Sequence, residues 1–259
     1  MKRRIMLTIA YDGTDYCGWQ IQKNGVSIEE VLTGAVRKVT GEEMALCGAS
    51  RTDSGVHALG NVVTFDTESS IPAEIFARAI NTNLPHDIRV RNSREVPGNF
   101  NPRYDGLKTY EYYVLNTPDE IPTERRTHWY VTYELDLGQM RKAAQLFVGK
   151  HDFASFCCPR TNAKDTVREI TAFEIEKKGD LITFHVEGTG FLYNMVRIMV
   201  GTLIRVGRGF YGPEQVAEIL EQKDRRAAGA TAPPQGLFLI GIDYPESKSY
   251  EGGKDSADL

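Results

Sequence analysis

The order of apolar and polar positions divides the first hundred residues into a regular series of secondary-structure elements. Strand-forming residues at 5–10 predict a first strand. Apolar residues then recur at helical spacing over 28–39, directly after Ser27, which with Glu30 forms a capping box. Short strand patterns, a second helix that opens at Pro72 and a strand at 88–91 complete the order β-α-β-β-α-β.

The second half follows the same order without repeating the sequence. We predict its strands at residues 107–115, 170–175, 181–186 and 237–242, and its helices at 138–148, 191–206 and 213–220. The pattern therefore predicts an α+β protein of two ferredoxin-like (split βαβ) halves, each with an antiparallel sheet covered on one face by helices. We assign residues 1–105 and 106–245 to the two halves. We expect the polar residues 246–259 to be a disordered tail.

Composition is typical of a soluble globular protein. Hydrophobic residues make up 41% of the 259 residues and charged residues 25%. The four cysteines include no Cys-x-x-Cys pair, the chain opens without a signal peptide, and the most apolar stretch is short and contains Arg197 and Arg205. These features predict a cytoplasmic protein with reduced thiols and no membrane partner.

The formal net charge of −4 does not favour a nucleic-acid partner, because such proteins commonly carry a strongly basic domain. The charges are nevertheless segregated along the chain. Arginines gather at 125–126, 205–208 and 225–226, whereas acidic residues gather in the last stretch. A local basic groove therefore remains possible despite the acidic total.

A loop rich in Gly, Ser and Thr, residues 48–58, places Arg51, Asp53 and His57 within seven positions. It lies between two predicted strands, and loops held by a rigid sheet commonly carry chemistry. The alternative is a polar turn in which Asp53 only accepts backbone N–H groups. Composition alone favours the turn.

Arg197 lies in a predicted helix that is apolar nearly all round. Arginine is almost never buried without an anion, so the sequence requires a carboxylate or phosphate nearby. One interpretation is an internal ion pair that only fixes the helix. The other places Asp53 there, where the guanidinium would lower the pKa of Asp53 and keep this carboxylate ionised, as a nucleophile must be.

Tyr110 belongs to an aromatic strand in which the period of two puts it on the same face as Tyr112 and opposite Tyr113. Its ring either packs in the core or stacks on a nucleic-acid base. Asp53 and His57 could suggest a metal site or a catalytic triad. The chain lacks His-x-His, Cys-x-x-Cys, Gly-x-Ser-x-Gly and phosphate-loop motifs, so we expect no metal and no cofactor.

Residues 48–57 resemble the signature loop of the tRNA pseudouridine synthases of the TruA type. Residues 11–20, 108–112, 191–197 and 236–239 resemble four further stretches of that family in the same order and spacing. The resemblance covers roughly residues 3–245. One departure is Ser50, where many members carry a second glycine.

The resemblance implies a pseudouridine synthase fold, in which two ferredoxin-like halves form a continuous antiparallel sheet with helices on one face and an active cleft between the halves. It also implies a homodimer in which one tRNA contacts both subunits. The implied reaction converts uridine to pseudouridine at positions 38, 39 and 40 of the tRNA anticodon stem-loop, without a cofactor.

Carried over residue by residue, the resemblance implies a role for each matching position. Asp53 is the catalytic nucleophile, which attacks C1′, attacks C6 or assists loss of the 2′ proton. Arg197 is its partner, and Tyr110 stacks on the target base. Arg51 fills the gap left by the flipped base, and Leu237 supplies an apolar wall.

Two other functions compete with this one. The first is a non-catalytic RNA-binding protein, because split βαβ folds with aromatic residues on the sheet bind RNA without chemistry. The second is a small-molecule hydrolase that uses Asp53 and His57.

Overall fold

The computed structural model describes residues 2–104, 106–158 and 165–245, and within them ten strands form one mixed sheet. The strands are β1 (Arg3–Tyr11), β2 (Cys47–Gly48), β3 (His57–Thr67), β4 (Ile88–Val96), β5 (Leu107–Leu115), β6 (Trp129–Tyr130), β7 (Gly149–Asp152), β8 (Val167–Lys178), β9 (Leu181–Gly188) and β10 (Leu237–Asp243). The helices are α1 (Ile28–Thr40), α2 (Phe76–Asn81), α3 (Leu137–Gln145), α4 (Met195–Gly207) and α5 (Gln215–Gln222). The predicted tail, residues 246–259, lies outside the described residues.

Local signals in the sequence explain where the first helix begins and ends. The Ser27 hydroxyl accepts the backbone N–H of Glu30 at 3.2 Å, as the capping box predicts. Gly41 ends the helix in the left-handed region, with φ 72°, and its N–H donates to the Arg37 carbonyl at 2.8 Å. The predicted position of α1 is therefore confirmed.

The strands of the two halves follow the same spatial order. In the first half β2 and β1 both pair with β3, and β4 pairs with β1, giving β4-β1-β3-β2. In the second half the order is β10-β5-β9-β8. When the short strands β6 and β7 are left out, each order reads fourth, first, third, second, which is the arrangement of a split βαβ unit. This arrangement agrees with the predicted α+β fold built from split βαβ units.

The sheet is continuous, as predicted, but it is not antiparallel throughout. β10 runs parallel to β3, with Phe238 opposite His57 and Leu239 opposite Ala58, and β6 runs parallel to β5. The β3–β10 pairing has a topological cause. Crossovers between parallel strands are right-handed in nearly all proteins. The helices of both halves lie on the same face, and the third-strand side of one half meets the fourth-strand side of the other. The halves must then share one orientation, so β3 and β10 run in the same direction.

The helices cover one face of the sheet. The larger core cluster contains the buried residues of all five helices together with Ile5 and Leu7 of β1. A smaller cluster includes Met6 and Val62, whose side chains alternate with those of the larger cluster and so lie on the opposite face. Among the helices of the described ranges, none is long and apolar enough to cross a membrane.

The helix that carries Arg197 is shorter than predicted. All of its residues except Arg197 and Arg205 are buried, which agrees with the apolar pattern. It begins at Met195 rather than near residue 191. Asn194 has a φ of 62°, which lies outside the right-handed helical region, so the helix cannot extend towards residue 191 through it. The preceding turn closes with a hydrogen bond from the Met195 N–H to the Leu192 carbonyl at 3.0 Å.

Candidate active site

The loop of residues 49–56 joins β2 to β3, and the N-terminal segment fixes it in place. The Trp19 N–H donates to the Thr52 carbonyl at 3.0 Å, and the Tyr11 hydroxyl lies 2.8 Å from the Thr52 hydroxyl. The Asn61 side-chain amide donates to the Ser50 carbonyl at 3.0 Å. The predicted loop is therefore present, and its backbone is held by buried partners on both sides.

Asp53 of this loop faces Arg197 of α4. Oδ2 of Asp53 lies 3.5 Å from Nη1 of Arg197, and the two side chains are only 12% and 14% exposed. Arg197 also donates to the Ala232 carbonyl at 2.8 Å and to the Asn194 side-chain oxygen at 2.7 Å. The anion required by Arg197 is thus Asp53, supplied by the other half of the protein.

Burial raises the pKa of Asp53 to about 6. The charge of Arg197 and hydrogen bonds from Arg197 and the Asn194 backbone lower this pKa, but they offset only part of the desolvation. Our prediction of a lowered pKa was therefore wrong in sign, because a pair at 3.5 Å is too weak to compensate for removal from water. A carboxyl group with a pKa of about 6 is still mostly ionised at pH 7.

Tyr110 of β5 contacts the same loop. Its hydroxyl lies 2.8 Å from the Ser50 hydroxyl, and its ring meets the edge of Phe191 with centroids 4.9 Å apart. Burial raises the pKa of Tyr110, so the phenol is protonated at neutral pH. Tyr112 packs in the core beside it, whereas the Tyr113 ring packs against Phe238.

Ser50 is the site residue that sequence reasoning missed. We noted it only as a departure from the family's glycine, yet its hydroxyl is the hydrogen-bond partner of the buried Tyr110 hydroxyl. The available signal was chemical, because a buried tyrosine hydroxyl needs a polar partner. A serine directly before Arg51 and three residues before Asp53 offered one.

The other two predicted residues lie at different depths. Leu237 is 5% exposed and is the first residue of β10. It pairs with Tyr112 of β5, the strand that also carries Tyr110. Arg51 is exposed to solvent between Ser50 and Asp53. The structure therefore connects Asp53 to Arg197 directly and to Tyr110 through the loop, and leaves Arg51 at the surface of the protein.

His57 holds the end of the loop and has no ring nitrogen to spare. Nδ1 accepts the Gly13 N–H at 3.1 Å, and Nε2 donates to the Arg126 carbonyl at 2.8 Å. Its ring stacks on Phe238 across the β3–β10 junction, and burial lowers its pKa. Among the residues that the structure describes, no group of three or more His, Cys, Asp or Glu is placed to hold a metal ion.

Comparison with known proteins gives the family. The profile of a family described as tRNA pseudouridine synthase matches residues 7–105 and 143–245. A "tRNA pseudouridine synthase A" of Thermoanaerobacter sp. (strain X514) is 48% identical over 243 residues, which cover 93% of this chain and 100% of the relative. The protein of that name from Exiguobacterium sibiricum is 46% identical over 247 residues, covering 95% of this chain and 98% of the relative.

Similarity to solved structures is weaker. A chain of a structure titled "Crystal Structure of a Cbf5-Nop10-Gar1 Complex" aligns with 77% of this chain and 45% of its own length, at 13% identity and a TM-score of 0.36. The assignment therefore rests on the sequence comparisons.

The sequence relatives define the chain as an enzyme of the isomerase class. The chain belongs to the tRNA pseudouridine synthase family, whose members isomerise uridine in tRNA. This membership counts against the non-catalytic RNA-binding alternative. The occupied nitrogens of His57 count against a hydrolase that uses His57 as a base.

Proposed function

We propose that Asp53 is the catalytic nucleophile that isomerises a flipped-out uridine at positions 38, 39 and 40 of the tRNA anticodon stem-loop. One observation carries the assignment of Asp53. It is a carboxylate 12% exposed, with a pKa raised to about 6, that faces an arginine from the other half of the protein. Strong perturbation of a buried carboxylate by a specific charged partner is typical of reacting groups.

The reaction needs no net transfer of electrons or atoms, because uridine and pseudouridine are isomers. The N1–C1′ bond breaks and its electron pair remains on the uracil ring. The ring turns, C5 bonds to C1′, C5 then loses its hydrogen as a proton, and N1 gains a proton.

Asp53 serves this reaction as an ionised carboxylate. Attack at C1′, attack at C6 and removal of the 2′ proton all use its free electron pair, so each route requires the deprotonated form. Burial makes this carboxylate more basic than one in water, and a partly desolvated base near neutral pKa is more effective at pH 7. Arg197 keeps Asp53 ionised and orients it.

The remaining residues bind and move the base. Tyr110 stacks on the uracil and, because its hydroxyl is protonated at neutral pH, can donate a proton as the ring rearranges. Leu237 adds an apolar wall. Base flipping costs a few kcal/mol, and the exposed Arg51 offsets part of it by stacking in the vacated space and contacting phosphate.

The family resemblance also supports a cytoplasmic homodimer in which one tRNA contacts both subunits. Light scattering of the free protein and of its tRNA complex would measure both stoichiometries. We expect two protein chains in the free protein and two in the tRNA complex, with one tRNA bound in the smallest complex. A monomer that binds and modifies tRNA would contradict the dimer.

Release of tritium from tRNA labelled at uracil C5 tests the chemistry directly, because C5 must lose its hydrogen. We expect Asp53→Asn to abolish release while tRNA affinity stays within about tenfold, since phosphate contacts dominate binding. The matched control is Asp180→Asn, an exposed aspartate in the turn between β8 and β9, which should release tritium normally. Full activity of Asp53→Asn would refute the role of Asp53.

Base-resolved mapping of the product tests the position. We expect pseudouridine at 38, 39 and 40 and nowhere else in the tRNA. Modification confined to other positions would overturn the anticodon assignment and leave the role of Asp53 intact. Turnover that survives removal of all RNA would instead support a small-molecule substrate.

A further inference from the structure

Lys108 is a buried cation beside the proposed catalytic pocket. It lies two residues before Tyr110 on β5, so both side chains leave the same face of the strand, about 6–7 Å apart along it. The residue is only 6% exposed, and its ammonium donates to one backbone carbonyl, that of Arg103, at 3.2 Å. A buried ammonium has three donors to satisfy and ordinarily pairs with an anion.

Two arginines accompany this lysine. Arg103 is exposed, and its Nε donates to the carbonyl of Gly48 at 3.2 Å, directly before the catalytic loop. Arg168 of β8 lies near enough for its charge, together with burial, to lower the pKa of Lys108. Cδ of Arg168 is 3.4 Å from the position of a Cβ built on Gly190, next to the Phe191 ring that contacts Tyr110.

These three cations have no acidic partner within the described ranges. The ion pairs found there, with nitrogen and oxygen within 4.0 Å, involve other residues of the chain. Three other half-buried arginines do pair with a carboxylate, as Arg4 does with Asp66 and Arg197 does with Asp53. Like charges next to a buried lysine destabilise the protein unless an anion neutralises them.

We propose that Lys108, with Arg103 and Arg168 beside it, binds a phosphate of the RNA backbone next to the uridine held at Asp53. This inference rests on the proposed function, because it takes the Asp53 pocket to be the place where the target nucleotide enters. The site fits a phosphodiester chemically, since lysine binds phosphate as a compact point charge and the flanking arginines add forked donors. Because Lys108 lies on the same strand as Tyr110, it would hold the RNA backbone in place while the target base stacks on Tyr110.

The test combines a lysine variant with an uncharged backbone linkage. Lys108→Met keeps the apolar stem and removes the charge, and Lys150→Met, on the edge strand β7, is the matched control. Each protein is titrated with two stem-loop RNAs, one natural and one with methylphosphonate linkages on both sides of the target uridine. We expect the wild type and Lys150→Met to bind the modified RNA about tenfold more weakly, as loss of a charge-assisted contact predicts.

Lys108→Met should bind the natural RNA more weakly than the wild type does, and the neutral linkages should weaken its binding clearly less than tenfold, because only the flanking arginines still contact the phosphate. Its plot of log Kd against log[KCl] for the natural RNA should also be shallower by about 0.7–0.9, the change for one phosphate contact. Equal sensitivity to the neutral linkages in Lys108→Met and the wild type would overturn the phosphate site. So would an unchanged salt slope.

Thermal stability separates binding from a structural role. A buried cation without an acidic partner costs stability, so Lys108→Met should melt at the same temperature as the wild type or higher. A lower melting temperature with unchanged RNA affinity would make Lys108 a structural residue and reject the proposal. Tritium release by the wild type from natural tRNA, measured in parallel, tests the proposed function independently, because binding alone decides the phosphate site.

Discussion

The two halves of the protein share one strand order but differ in the connection between their second and third strands. In the second half β8 is twelve residues long and returns through the tight turn at Gly179 and Asp180. In the first half β2 has only two residues, and the loop 49–56 follows it. The short strand pairs with Val63 and Thr64, far along β3.

This difference explains where the candidate active site is located. Because β2 ends early, the beginning of β3 remains unpaired on that side, and β10 of the other half pairs with it at His57 and Ala58. The long loop lies at this junction and brings Asp53 to Arg197. The same fold thus gives one half a simple hairpin and the other a candidate active-site loop, because β2 is much shorter than β8.

Loss of Arg197 should have the largest effect. Arg197→Met removes the guanidinium that orients Asp53 across the junction, so we expect turnover to fall at least about hundredfold. Breaking a buried pair should also lower the free energy of unfolding by about 3 kcal/mol at pH 8. Chemical denaturation and tritium release measure the two effects. Unchanged stability would contradict a buried pair.

The destabilisation in Arg197→Met should depend on pH. At pH 5 Asp53 is protonated in the folded protein, because its pKa is about 6, and the arginine then has little charge to neutralise. The loss of stability should therefore be smaller at pH 5 than at pH 8. Arg205→Met, at an exposed position of the same helix, is the control and should cost about 1 kcal/mol or less at either pH.

Glycine substitutions compare the two connections directly. Gly55 in the loop and Gly179 in the turn both have positive φ, 77° and 60°. Alanine at either position should lower the free energy of unfolding by about 1–2 kcal/mol through backbone strain. A Cβ on Gly55 would also lie 3.0 Å from Cγ of Pro234, whereas one on Gly179 would meet nothing within 4 Å.

Only one of these two variants should affect catalysis. We expect Gly55→Ala to slow single-turnover tritium release severalfold, because it shifts the loop that carries Asp53. Gly179→Ala should release tritium at the wild-type rate. Equal rates in both variants would show that the loop has no special role.

Ser50→Ala tests the contact between the loop and Tyr110. It leaves the buried hydroxyl of Tyr110 without its partner, which costs about 1–3 kcal/mol of stability. Since the Ser50 hydrogen bond lowers the pKa of Tyr110, the variant should also make this phenol a weaker acid. In Tyr110→Phe, where the hydroxyl is already absent, Ser50→Ala should add little; two fully additive losses would contradict the contact.

Much of the architecture could be predicted from the sequence, because local patterns encode it. The capping box at Ser27 and the alternation around Tyr110 correctly placed α1 and β5. The parallel β3–β10 pairing could not be predicted, since it depends on how two complete halves meet. The direction in which the pKa of Asp53 shifts could not be predicted either. It depends on the balance between burial, which raises the pKa, and an ion pair at 3.5 Å, which lowers it.

Burial should hold the pKa of Asp53 near neutrality, and this pKa can be measured without substrate. Titration of the side-chain carboxyl carbon of Asp53 by NMR, with its signal assigned from its absence in Asp53→Asn, gives the pKa directly. We predict a midpoint at about pH 6. A midpoint at or below the ordinary aspartate value of about 3.9 would contradict the account.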